Sequence, residues 1–95
     1  LSDLREQIDS LNDQILALVQ QRAEIVLEIA RLKREQGLEG HDPQREEEML
    51  QRLTEAATGP FGPAEVRAVF RAIFRASLAI QHRLAADLAV LNPQE

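Results

Sequence analysis

An all-α fold of three helices, long, short and long, is predicted by two observations. From Ser2 to the stop signal at Gly37 there is no proline or glycine, and apolar residues recur at helical spacing throughout. Nowhere in the chain does an apolar segment alternate with period two or follow a Gly-rich β-turn, so nothing suggests a strand.

Helix one opens at Ser2, a side chain suited to capping, and runs to Gly37, a residue suited to the left-handed end of a helix. At ~1.5 Å per residue its roughly 34 residues reach about 50 Å, longer than a compact globule of this chain length is across. A second copy is expected to cover it. Helix two starts at Asp42-Pro43, a cap followed by proline at the first helical position, and continues through Met49, Leu50, Leu53 and Ala57 to Gly59. The break Gly59-Pro60-Phe61-Gly62 and the opening Pro63 begin helix three, whose stripe is Val66, Phe70, Ile73, Ser77, Ile80, Leu84 and Leu91, ending at Asn92-Pro93.

Composition narrows the function classes. Eleven basic against sixteen acidic side chains give a net charge of −5, which argues against a role built on neutralising nucleic-acid phosphates. With no cysteine there is no disulfide framework or thiolate metal site, and no apolar run approaches the roughly 18 residues of a membrane span. The expectation is a soluble protein of the cytoplasm. The chain starts at Leu1 without a charged-then-apolar leader, which suggests a trimmed start, and residues 1–95 read as one domain. His41 and His82 have no paired histidine or cysteine at ligand spacing, so no metal is expected, and no Gly-rich phosphate loop or Ser-His-acid set is present.

The informative residues are polar ones in apolar seams. In helix one the seam Leu4, Ile8, Leu11, Ile15, Leu18, Ile25, Ile29, Leu32 steps by four and three, and position 22 within it is arginine. A charge there needs an anionic partner, which could be a helix-two glutamate or a ligand. Lys33 lies about 16 Å further along the same face, three turns on. In helix two, Glu46 continues the line of Leu50 and Leu53 while Arg45 continues that of Met49; Glu47 and Glu48 read as a solvated first turn. In helix three Ser77 occupies the seam and Gln81 follows one turn later, whereas Arg67, Arg71 and Arg75 form a stripe expected to face solvent. Three cations and Glu46 near one core describe a pocket for a small ligand with more than one carboxylate.

Leu4-Arg5-Glu6, Ile8-Asp9-x-Leu11-Asn12, Arg22, Lys33, Asp42-Pro43-Gln44-Arg45-Glu46 and Ser77-x-x-x-Gln81, in that order and at those separations, resemble the all-helical chorismate mutases across residues 4–88. The similarity extends to the mutase domain fused ahead of a 3-deoxy-arabino-heptulosonate-7-phosphate (DAHP) synthase, through Gly59-Pro60-Phe61 and Ile73-Phe74-Arg75-Ala76. The resemblance implies an intertwined homodimer, no cofactor, and rearrangement of chorismate to prephenate. It also implies roles: Arg22 and the partner's Arg5 on the substrate carboxylates with Ser77 assisting, Lys33 and Gln81 on the ether oxygen, and Glu46 on the ring hydroxyl. Asp42 and Arg45 would order the end of helix two that carries Glu46. Two other functions fit the same residues: a domain that senses chorismate or prephenate for an attached synthase, and a plain helical dimerisation module whose polar seam residues fix register.

Overall fold

The computed structural model describes residues 1–91, and these form three helices: α1 (Ser2–Glu35), α2 (Pro43–Ala56) and α3 (Pro63–Leu91). The stop expected at Asn92-Pro93 and the side chain of Leu91 lie outside the described residues. No helix is long and apolar enough to cross a membrane among those described.

Each helix end has a local cause. Ser2 does not cap α1: it is already helical, Leu1 is the N-cap residue, and no side chain caps that end. At the other end Gly37, at φ 72°, lets the Leu38 N–H reach Lys33 O at 2.8 Å while its own N–H reaches Arg34 O at 3.2 Å, the paired bonds of a Schellman motif. Asp42 caps α2 by accepting from the Arg45 N–H at 3.1 Å, with Pro43 behind it in the first turn. At α3 the Glu65 carboxylate reaches back to accept from the Gly62 N–H at 2.8 Å, which is half of a capping box.

α3 is the shared partner, packing against both α1 and α2, while α1 and α2 do not pack on one another. The most buried side chains are Leu50 of α2 and Phe74 and Ser77 of α3. Arg67, expected in solvent, is instead half-buried and donates to Glu47 Oε1 at 3.0 Å, pinning α2 to α3; Arg71 and Arg75 are exposed.

The face that α1 turns toward α3 differs from the seam that the sequence marks. Val19, Ala23, Val26, Leu27 and Ala30 are half-buried, whereas every apolar seam residue from Leu4 through Ile15, Ile25 and Leu32 is exposed. Adjacent residues are about 100° apart around a helix, so Val26 and Ile25 belong to different faces. Alanines admit close approach of α3, leaving the larger residues without a partner. The result is an elongated molecule of 60 × 29 × 15 Å with an accessible surface of 7825 Å². A compact monomer of this mass would expose roughly 5,500 Å², so the chain exposes about 2,300 Å² more than its size requires.

Candidate active site

Arg22 lies at the border of the two faces of α1, half-buried, and its placement follows from α3. Its Nη1 donates to Ser77 Oγ at 3.0 Å, and its guanidinium carbon sits 5.3 Å from the centre of the Phe74 ring. Ser77 spends its own hydrogen on Ile73 O, 2.8 Å away and one turn back, so the hydroxyl has only lone pairs to offer the arginine. No carboxylate lies within ion-pair distance of Arg22 among the described residues, and the alternative of a structural pair with a helix-two glutamate is therefore absent. The charge faces a hollow instead.

That hollow is a cavity of about 260 Å³. α1 contributes Arg22 and Lys33; the start of α2 and the residue before it contribute Asp42, Arg45 and Glu46; α3 contributes Ser77 and Gln81. Ile25, Val26, Ile29, Met49 and Phe74 give it apolar walls. Seven of the eight residues singled out from sequence thus meet in one place. The eighth, Arg5, is exposed in the first turns of α1, about 25 Å along the helix from Arg22, and is not part of this cavity.

The electrostatics are unbalanced toward positive charge. Three cations face two carboxylates, and Asp42 is already engaged through Oδ1 as the cap of α2. Glu46, half-buried, meets only His41, with Nε2 3.4 Å from Oε1. Gln81 makes no side-chain hydrogen bond among the described residues, and its Oε1 lies against Gly40, where an added Cβ would stand 3.0 Å from it. A larger hollow of about 410 Å³ lies beyond Gly40 and Gln81, but it is walled largely by leucines and alanines and lacks the grouped cations and carboxylates.

Four lining residues, Val26, Gly40, His41 and Phe74, were not singled out from the sequence. Phe74 could have been found from the i, i+4 pairing of Phe70 and Phe74, whose rings stand 6.4 Å apart in a chain with only three aromatics. Gly40 and His41 sit in a loop, where no periodicity marks an inward side chain.

The fold is an all-helical domain that gathers guanidinium, ammonium and amide donors around one small hollow. Residues 4–82 match the family described as chorismate mutase type II, and the chain belongs to that family. It is similar to the bifunctional chorismate mutase/prephenate dehydratase of Pseudomonas aeruginosa, 33% identical over 99 residues that cover 99% of this chain and 27% of that protein. The T-protein of Haemophilus influenzae is 34% identical over 84 residues, covering 87% of this chain and 22% of its own. Among solved structures, chorismate mutase (form II) from Thermus thermophilus superposes with a TM-score of 0.84 at 45% identity, covering 86% of this chain and 93% of that one. The chain spans about a quarter of the length of the curated relatives. The fusion partner printed for the bifunctional relatives is prephenate dehydratase, so a DAHP synthase partner finds no support among them.

Proposed function

We propose that this domain rearranges chorismate to prephenate within aromatic amino-acid biosynthesis, as a cytoplasmic homodimer whose two sites each borrow Arg5 from the other chain. The observation that carries it is the convergence of Arg22, Lys33, Asp42, Arg45, Glu46, Ser77 and Gln81, drawn from all three helices, on one cavity.

The rearrangement breaks one C–O bond as one C–C bond forms, so atoms balance within the substrate and the protein's work is orientation and charge. Arg22, held by Ser77 and seated beside Phe74, offers its remaining N–H groups to a substrate carboxylate and fixes the flexible enolpyruvyl arm over the ring. Lys33 and Gln81 donate to the ether oxygen, where negative charge grows as the bond breaks; donors of this kind contribute roughly 3–4 kcal/mol each. Glu46 accepts from the ring hydroxyl. Counting His41 as neutral, three cations and two carboxylates leave one positive charge, and the partner's Arg5 raises it to two, matching the two carboxylates of the substrate. The apolar seam from Leu4 to Leu32, unpartnered within one chain, is the surface that a second α1 would cover.

A synthase partner rests on the Gly59-Pro60-Phe61 and Ile73-Phe74-Arg75-Ala76 similarity alone, whereas the bifunctional relatives favour prephenate dehydratase. Loss of chorismate absorbance on adding the purified chain, with prephenate identified as the product, tests the activity. Unchanged chorismate at micromolar protein would reject it and leave the sensing or dimerisation roles.

A further inference from the structure

Glu46 is the cavity carboxylate not committed to capping a helix, and among the described residues its one side-chain partner is His41. A carboxylate only accepts, so the imidazole donates from Nε2. In the numbering of α2, whose N-cap is Asp42, His41 is the residue before the cap and Glu46 the fourth helical residue. Those two positions commonly carry a pair of apolar side chains that staple the entering chain to the first turn. Here the staple is polar: a hydrogen bond takes the place of the apolar contact, and one of its members faces the cavity.

We propose that His41 is a positioning residue for the mutase reaction, holding Glu46 by Oε1 so that Oε2 stays available to the substrate hydroxyl. This assignment rests on the proposed mutase function. The need for such a hold comes from the neighbours. Arg22, Lys33 and Arg45 line the same cavity, and a Glu46 free to rotate would pair with one of them, consuming a cation that the substrate carboxylates require. The Schellman motif around Gly37 sets one end of the connecting loop and the Asp42 cap sets the other, and His41 stands directly beside that cap. At 44% side-chain exposure the imidazole also contributes little to the core, so its replacement leaves the fold standing.

Three variants of the full chain test this against wild type: His41→Leu, His41→Asn and His41→Gln, each checked for helix content, melting temperature and dimerisation before kinetics. The leucine removes the donor, the asparagine keeps a donor too short to reach Glu46, and the glutamine extends its amide nitrogen near the place of Nε2. His41→Leu and His41→Asn are expected to raise KM roughly five- to twentyfold with a smaller change in kcat, and His41→Gln to recover most of that loss. A purely structural role would lower the active fraction, hence kcat, and leave KM alone. An unchanged KM in both the Leu and Asn variants, or a Gln variant no better than Asn, overturns the assignment while the mutase function stands. A wild-type chain that leaves chorismate unchanged overturns the mutase function itself, and the positioning role with it.

Discussion

Replacing Arg22 with alanine separates a catalytic arginine from a structural one, and the structure fixes the size of each effect. The side chain has one charge-assisted hydrogen bond, to the Ser77 hydroxyl, which solvent screens at this half-buried position, and one contact with the Phe74 ring. Those contribute about 1 kcal/mol and about 0.5–1 kcal/mol respectively. Ser77 is not orphaned by the change, because its hydroxyl still donates to Ile73 O. A stability loss of about 1–2 kcal/mol follows, which lowers the melting temperature of a domain this size by roughly 5–15 °C. The effect on turnover is far larger. Arg22 is free of any carboxylate within the described residues, so its fork is available to hold the substrate in the reactive conformer, and kcat/KM should fall by roughly a thousandfold or more. Chorismate loss followed in the ultraviolet, beside thermal melts at matched protein concentration, measures both quantities. A buried structural ion pair would behave in the opposite way, losing about 3–5 kcal/mol on removal of one partner. A collapse of the fold with normal activity per folded molecule would therefore refute the catalytic role.

Three further outcomes are expected. Sedimentation at micromolar concentration should give a dimer, because the excess of about 2,300 Å² per chain matches the large interfaces of obligate pairs; a folded monomer contradicts this. Gln81→Glu should confine activity to acid pH. Only the protonated carboxyl can donate to the ether oxygen, so the rate should rise as pH falls toward the carboxylate range near 4.3, and an unshifted pH profile would exclude that role. Gly40→Ala should push the Gln81 amide by a few tenths of an ångström, lowering kcat roughly threefold while melting is unchanged; the same change made on a Gln81→Ala background should cost nothing further.

What could be read from the sequence, and what could not, divides along physical lines. The helices were legible because proline, glycine and capping chemistry are local, although Ser2 shows that a capping residue type does not ensure a cap. Arg22 was legible because one charge interrupts a long aliphatic repeat. Its partners were not: they come from α3, and pairing between helices carries no local signal. Which face of α1 meets α3 was not legible for a related reason. α1 has two apolar faces, and the one richer in large residues stays exposed in the single chain while Val26 and Ala30 pack on α3. Gly40 and His41 were passed over because a loop has no period from which to infer direction, although His41 becomes legible once Asp42 is known to be the cap of α2.

The central claim is a site built on Arg22 by one chain and completed by Arg5 of another. Arg5→Ala and Arg22→Ala chains, each nearly inactive alone, can be unfolded together in equal amounts and refolded. Random pairing makes about half of the dimers mixed, and in a mixed dimer one site carries both lesions and the other carries neither. Recovery of roughly a quarter of wild-type activity is predicted. If Arg5 acted within its own chain, every site would keep one lesion. No recovery in a sample verified to contain mixed dimers would contradict the shared site.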